Sequence, residues 1–169
     1  MENEVVQTVA VVSQWGLALA VLGGALAVFL GGIGSAIGVG LAGQAGAGVT
    51  AEKPELFGKV LVLEALPATQ GIYGFLVGFL ILLNTGILSG DVASLTLSEG
   101  FKIFFGCLPA GIGCLFSGIH QGKVSAAGMG MIAKDASTMG KAMVLSAMVE
   151  TYAVLGFLVS ALIVFSLGK

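Results

Sequence analysis

The sequence contains few charged residues and no arginine. Charged residues make up only 9% of the 169 positions, all 7 basic residues are lysines, and the net charge is −2. Soluble domains carry about a quarter charged residues, so this composition cannot form a soluble surface. The scarcity of positive charge also excludes a nucleic-acid interface and a polybasic lipid-binding patch.

Histidine and cysteine are scarce as well. One histidine and two cysteines do not support a zinc site or a catalytic triad. Cys107 and Cys114 lie two helical turns apart, about 10 Å along the axis, which is beyond disulfide reach within one helix. The glycine motif GVGLAG at residues 38–43 lies in an apolar segment with no preceding strand, so it does not predict a nucleotide site. We expect a chain without catalytic activity of its own.

Long apolar runs make up most of the chain. Hydrophobic residues account for 57% of positions, and the mean hydropathy is +1.07. Each of four runs exceeds the roughly 20 residues that a helix needs to cross a bilayer. The sequence therefore predicts an all-α multi-pass membrane protein with four transmembrane helices. Their predicted ranges are residues 16–47, 57–88, 100–133 and 141–167.

The lysines predict how these helices are oriented. Four lysines flank the loops between helices 1 and 2 and between helices 3 and 4, and two belong to the opposite side. The positive-inside rule places those two loops in the cytoplasm and both termini outside the cell membrane. The acidic start MENEVV lacks the positive charge of a secretory signal, so we expect it to be retained. The loop lysines are Lys53, Lys59, Lys134 and Lys141, and the other two are Lys102 and Lys169.

The second half of the chain repeats the first. At an offset of 82 residues, Lys59 aligns with Lys141, and LPATQGIYGF aligns with MVETYAVLGF; at an offset of 86, Gly32 aligns with Gly118. Such a tandem repeat predicts two helical hairpins that run in the same direction through the membrane. The predicted hairpins span residues 1–92 and 93–169.

Glu150 lies in an apolar run, residues 142–165, that is otherwise free of charge. A carboxylate at membrane depth costs several kcal/mol, so it marks a functional site by default. The aligned residue of the first hairpin is Ala68. We therefore expect one site per chain.

Neutral oxygen donors are predicted at the depth of Glu150. Gln70 follows the lysine of its hairpin by eleven residues and Glu150 follows its own by nine, while Gln121 approaches the same depth on an antiparallel helix. Pro67 cannot donate a backbone hydrogen bond, which frees carbonyl oxygens nearby. Together these groups suit a hard, desolvated monovalent cation; for the glutamines alone, interhelical hydrogen bonding is the alternative. One predicted face of helix 2 carries Leu66, Thr69, Gln70, Tyr73 and Val77.

Small residues recur at every fourth position of helices 1 and 3, which lets helix backbones approach closely in a membrane. Glycine totals 28 residues and covers several faces of these helices. This pattern and the duplication favour the wall of a homo-oligomeric ring over an isolated four-helix bundle. The aligned sets are Gly32, Ala36, Gly40 and Gln44 in helix 1, and Gly118, Gly122, Ala126 and Gly130 in helix 3.

Three motifs, LPATQGIYGF, SGIHQGKV and MVETYAVLGF, closely resemble those of the K subunit of bacterial V-type sodium-transporting ATPases. This family is the duplicated proteolipid of the membrane rotor ring, and the resemblance covers about residues 31–165. It implies a homo-oligomeric ring in membrane lipid, turned by a central stalk at the cytoplasmic loops against a stator subunit that supplies an arginine. It also implies that Na⁺ is bound by Glu150, Gln121, Gln70, Thr69 and the backbone carbonyl of Leu66, with Tyr73 bonded to the glutamate and Pro67 in support.

Several alternatives remain open at this point. A rotor that carries H⁺ needs only the acid, whereas the additional oxygens favour Na⁺ and also suit Li⁺. A channel predicts a continuous polar stripe and an exporter predicts an aromatic cavity, and neither pattern is present. Glu64, His120 and Lys123 have no assigned role.

Overall fold

The computed structural model describes the backbone of residues 2–167 and the side chains of residues 14–167. Lys169, on which the predicted orientation partly depends, lies outside these residues. Three short 3₁₀ turns, Pro54–Leu56, Leu66–Ala68 and Ala136–Thr138, connect or interrupt the helices. The α-helices of the described chain are α1 (Glu2–Glu52), α2 (Phe57–Ala65), α3 (Thr69–Asn84), α4 (Leu97–Lys134) and α5 (Met139–Leu167).

Four helical spans are long and apolar enough to cross a membrane, which confirms the predicted fold class. The α2 and α3 helices form one span that is interrupted at the Leu66–Ala68 turn. This span ends at Asn84 and not at residue 88 as predicted, because the chain turns at Gly86, whose φ is +70°. The four spans are Gln14–Glu52, Pro54–Asn84, Leu97–Lys134 and Ala136–Leu167.

The α4 helix starts at a capping box. The Thr96 hydroxyl accepts a hydrogen bond from the Glu99 N–H at 3.3 Å, and the Glu99 carboxylate accepts one from the Thr96 N–H at 2.8 Å. These two bonds satisfy backbone donors that the first turn of a helix leaves free. At the other end, Asp135 is extended and ends the helix after Lys134.

The helices form two layers. The most extensive contact joins α1 to α4, while α3 lies mainly against α1, and α5 lies against α4. Two buried apolar clusters occupy opposite ends of this arrangement, and the buried polar side chains of α3 and α4 lie between them. Cys107 and Cys114 are buried and do not form a disulfide, as expected from their spacing. One cluster includes Ala27, Val77, Ile81 and Cys107, and the other includes Ala42, Leu63, Met129 and Ile132.

Glycines allow α1 and α4 to approach closely. A Cβ atom placed on Gly118 would lie 2.6 Å from the Gly34 carbonyl carbon, and one placed on Gly34 would lie 2.6 Å from the Cys114 oxygen. The predicted small-residue stripe of helix 1 is a different one: Gly32 and Gly40 are exposed, and a Cβ atom there would meet nothing within 4 Å. The contact within the chain therefore uses the Gly34 face of α1 and leaves the Gly32 face uncovered.

Gly34→Ala is expected to destabilise the helix bundle by about 1–3 kcal/mol, because the added methyl group meets backbone atoms that cannot move aside. Gly48→Ala is the matched control, since its Cβ atom enters open space; it should change stability by less than about 1 kcal/mol. Denaturant-induced unfolding in detergent micelles, followed by Trp15 fluorescence, measures both. Equal effects of the two substitutions would contradict a contact through Gly34.

Two lysines join the predicted cytoplasmic loops. The Lys53 ammonium donates to the Ala133 carbonyl at 2.6 Å, and the Lys59 ammonium donates to the Ala136 carbonyl at 2.7 Å. Both carbonyls lie at the junction of α4 and α5, so the first loop is tied to the second. Beside them, hydrogen bonds from Ser137 lower the pKa of Asp135.

Candidate functional site

Glu150 lies within α5 and is half-buried where α5 faces α3 and α4. The Tyr73 hydroxyl of α3 donates to Glu150 Oε1 at 2.7 Å, and Gln121 Nε2 of α4 approaches Glu150 Oε2 at 3.4 Å. Each carboxylate oxygen thus has a donor from a different helix. The glutamate is held at the point where three membrane spans meet.

The ring of Tyr73 is itself held in place by α5. Its centroid lies 5.5 Å from that of Phe157, with the two rings inclined by 26°. Phe157 follows Glu150 by two helical turns, so both residues present the same face of α5 to Tyr73. The stacked rings orient the hydroxyl toward the carboxylate.

Gln70 and Gln121 are completely buried and bonded to each other. Gln70 Nε2 donates to Gln121 Oε1 and also to the Ser117 hydroxyl at 3.1 Å. Ser117 in turn donates to the Val149 carbonyl at 3.0 Å. A hydrogen-bonded chain therefore runs from α3 through α4 to the residue that precedes Glu150.

The Leu66–Ala68 turn places the Leu66 carbonyl beside this hydrogen-bonded network. Pro67 has no N–H and is buried against α1 near Gly38, so the helix tightens into a 3₁₀ turn there. The Thr69 hydroxyl donates to the Leu66 carbonyl at 3.1 Å and lies 3.4 Å from Gln70 Oε1. Three oxygen atoms, one from each of Leu66, Thr69 and Gln70, are thereby adjacent.

The structure brings the predicted site residues together. Gln70, Gln121 and Glu150 form one hydrogen-bonded network, as expected from their predicted depth. Within residues 14–167, no buried side-chain nitrogen or oxygen lacks a partner, and no three His, Cys, Asp or Glu side chains cluster as at a transition-metal site. The site has one carboxylate and otherwise neutral oxygens. The remaining predicted site residues, which lie around this network, are Leu66, Pro67, Thr69 and Tyr73.

Ser117 is a member of the network that sequence reasoning missed. It precedes Gln121 by four residues in the SGIHQ segment, so it lies one turn away on the same face of α4. That spacing is the signal that could have identified it. Its hydroxyl both accepts from Gln70 and donates to α5, so it fixes the direction of the Gln70 amide.

Three polar side chains without an assigned role lie away from the network. The Glu64 carboxylate lies against Gly43 of α1, where a Cβ atom would be 2.7 Å from its Oε1. His120 and Lys123 are exposed on α4. None of the three contacts the Glu150 site.

Comparison with known families explains the arrangement. The family of the ATP synthase C subunit matches residues 22–81 and, a second time, residues 104–163. The chain belongs to this ATP synthase family. The double match confirms that the chain is a duplicated proteolipid, and with its four apolar spans it is a multi-pass membrane protein.

Two curated relatives show the same relationship. The chain is 46% identical to V-type sodium ATPase subunit K of Enterococcus hirae over 149 residues, which cover 88% of the chain and 92% of that protein. It is 43% identical to A-type ATP synthase subunit K of Methanocaldococcus jannaschii over 153 residues, which cover 90% of the chain but only 64% of that protein. The resemblance to the K subunit is thus confirmed over nearly the whole chain.

Proposed function

We propose that this chain carries Na⁺ across the membrane as the ring-forming subunit of a rotary V-type ATPase. The observation that supports this most directly is the Glu150 carboxylate, held at membrane depth by Tyr73 and Gln121 beside several neutral oxygens. The name of the Enterococcus relative, a sodium ATPase subunit, agrees with this ion. The chain itself is non-catalytic, and ATP hydrolysis takes place on other subunits.

The proposed Na⁺ site uses one charge and four neutral oxygens. Glu150 neutralises the ion, which removes most of the penalty of placing either charge in the membrane. A hard cation prefers oxygen ligands, and the Li⁺ ion would suit the same set. Tyr73 holds the second carboxylate oxygen, and Pro67 shapes the turn. The proposed ligands are Glu150, the side-chain oxygens of Gln121, Gln70 and Thr69, and the backbone carbonyl of Leu66.

Ion binding requires a local rearrangement of Gln121. Its Nε2 faces Glu150 and its Oε1 accepts from Gln70, so the amide presents hydrogen to the carboxylate. Turning the amide about its last side-chain bond would exchange these two atoms and direct the oxygen toward the ion, and the Gln70 amide would then have to turn as well, because two amide nitrogens cannot bond to each other.

A ring explains the large apolar area that one chain leaves uncovered. The Gly32 face of α1 is exposed, as are large side chains such as Phe29 and Ile37 on the same helix. Lipid offers no hydrophobic drive for helix association, so close backbone contact through small residues is the favoured way to join copies. Neutral, ion-filled sites then pass the lipid at low cost, which couples rotation to site occupancy.

The remaining components must come from other subunits. Release of Na⁺ requires a fixed cation at the stator, and the chain contains no arginine to provide it. We propose that a stator subunit supplies an arginine and that the central stalk binds the two loops joined by Lys53 and Lys59. In this arrangement both loops are cytoplasmic, both termini lie outside, and the hairpins span residues 1–92 and 93–169.

Carbodiimide labelling tests this function. The carboxyl group reacts by giving its proton to the carbodiimide and adding to its central carbon, so the reaction needs a protonated carboxyl, whereas bound Na⁺ keeps Glu150 ionised. At a Na⁺ concentration ten times its Kd, labelling of Glu150 should slow about tenfold at constant pH, since about one site in eleven stays free. Peptide mass spectrometry locates the label, and K⁺ replaces Na⁺ at equal ionic strength in the comparison sample.

Glu64 provides an internal control for the same experiment. It lies in an apolar segment of the same chain but outside the network, so Na⁺ should not change its labelling rate. Equal labelling of Glu150 in Na⁺ and K⁺ would contradict the sodium assignment and favour a rotor that carries H⁺.

A further inference from the structure

The contact between the two hairpins of one chain predicts which residues meet where two chains pack together. Within the chain, Gly34 of α1 lies against Gly118 of α4, and Lys59 of the first loop bonds to Ala136 of the second. Because the hairpins repeat, the second hairpin carries a face equivalent to that of the first. This inference rests on the ring proposed above and concerns how neighbouring copies fit in it.

The equivalent helix faces are uncovered. The offset of 86 residues that aligns Gly32 with Gly118 also aligns Gly34 with His120. His120 is exposed on α4, and Gly32 is exposed on α1 with open space around it. The pair that would reproduce the internal Gly34 contact is therefore His120 of one copy and Gly32 of the next.

The loops provide an independent match. The offset of 82 residues aligns Lys59 with Lys141 and Ala136 with Pro54. Lys141 is exposed and donates no hydrogen bond within the described chain, and its charge lies near Asp135, whereas its counterpart Lys59 also donates to the Ala136 carbonyl. Pro54 is also exposed, and its carbonyl accepts one bond, from the Phe57 N–H, which leaves one lone pair free.

The same offsets place a counterpart of the ion site between copies. Tyr152 aligns with Gln70, Ser35 with Gln121, and Ala68 with Glu150. Tyr152 is 72% exposed at membrane depth, where a phenol needs a partner for its hydroxyl. This boundary has no aligned carboxylate, which agrees with one ion per chain.

We propose that the next copy docks in the register of the internal contact, with His120 against its Gly32 and Lys141 donating to its Pro54 carbonyl. The spacing differs from that of the internal contact, because histidine replaces glycine on one side. Close contacts within chains thus alternate with wider contacts between chains around the ring.

Cysteine cross-linking tests the register in purified rings. In a background of Cys107→Ala and Cys114→Ala, the pair His120→Cys with Gly32→Cys should oxidise to a ladder of linked copies on a denaturing gel. The matched control pairs His120→Cys with Gly40→Cys, which lies about 12 Å further along α1 and beyond disulfide reach. Linkage of the control pair at an equal or higher yield would overturn the register.

Native mass spectrometry distinguishes a wrong docking register from a wrong proposed function. A ring that forms but does not cross-link through residues 120 and 32 overturns the docking register and leaves the proposed function intact. A wild-type chain that forms no oligomer in lipid overturns both.

A loop variant tests the register without cysteines. Lys141→Met should lower the temperature at which the ring dissociates in detergent, because it removes the bond to Pro54 of the next copy. Lys134→Met is the control. Lys134 aligns with Glu52 and not with Lys53 or Lys59, the two lysines that bond to the other loop, so the register predicts no bond from Lys134 to the next copy. Equal dissociation temperatures for Lys141→Met and wild type would count against the contact.

Discussion

Replacing Glu150 with glutamine is expected to abolish Na⁺ transport and leave the ring assembled. The amide oxygen still accepts the Tyr73 hydrogen bond, so the local fold persists, but no charge remains to neutralise the ion. Removing one partner of a buried charge pair costs about 3–5 kcal/mol, which corresponds to a loss of Na⁺ affinity of more than about a hundredfold. Assembly survives because the exposed Gly32 face of α1, which is proposed to join neighbouring copies, does not involve this residue.

The measurement is ATP-driven ²²Na⁺ uptake into liposomes that contain the complete complex, together with the native mass of the isolated ring. Glu64→Gln is the matched control, because it removes a carboxylate from an apolar segment that does not touch the network. It should transport Na⁺ at close to the wild-type rate. A Glu150→Gln chain that transports would move the ion site elsewhere, and one that forms no ring would make the carboxylate a structural group.

The depth of the site residues follows from the sequence because a helix rises by a fixed 1.5 Å per residue. Lys59 and Lys141 mark equivalent levels, so counting from them places Gln70 and Glu150 at similar depths. The network that joins Gln70 to Gln121 and Gln121 to Glu150 agrees with that count. Helix length and hydropathy likewise suffice to predict four spans.

The rotation of a helix about its own axis does not follow in the same way. In α1, Gly32 and Gly40 lie on one stripe of four-residue spacing, and Gly34, Gly38 and Ala42 lie on another. Periodicity cannot choose between two stripes of small residues, since both allow close approach. Only the contact with α4 shows that the Gly34 stripe is buried within the chain.

Hydrogen-bond direction is also invisible in the sequence. A serine in an apolar helix commonly bonds to its own backbone, so Ser117 alone does not indicate a ligand network. Its role depends on α4 being turned toward both Gln70 and the Val149 carbonyl. The Gln121 amide likewise has a donor nitrogen and an acceptor oxygen, and the neighbouring residues determine which of the two lies toward Glu150.

Replacing Gln121 with alanine is expected to lower Na⁺ affinity at least tenfold, a loss of about 1.4 kcal/mol, while proton occupancy survives. The substitution removes one oxygen from a desolvated ion and leaves the carboxylate in place. It also deprives Gln70 of one of its two partners on α4, so a second proposed ligand becomes less well ordered. Protons should therefore displace Na⁺ at a higher pH than in wild type, because the more weakly bound ion competes for the same carboxylate.

Na⁺ binding to purified rings between about pH 6 and 9 decides whether Gln121 is a ligand or only joins helices. Ser125→Ala is the matched control: Ser125 is also a buried polar residue of α4, but it bonds to Ser146 at 2.7 Å, one turn away from the site. If both variants bind Na⁺ as wild type does, Gln121 is not a ligand and the proposed site is wrong. If both lose affinity equally, the loss reflects disturbed helix contacts. A tenfold loss in Gln121→Ala alone, with carbodiimide labelling of Glu150 retained at low pH, assigns the lost affinity to the missing oxygen, since the carboxylate still takes up its proton.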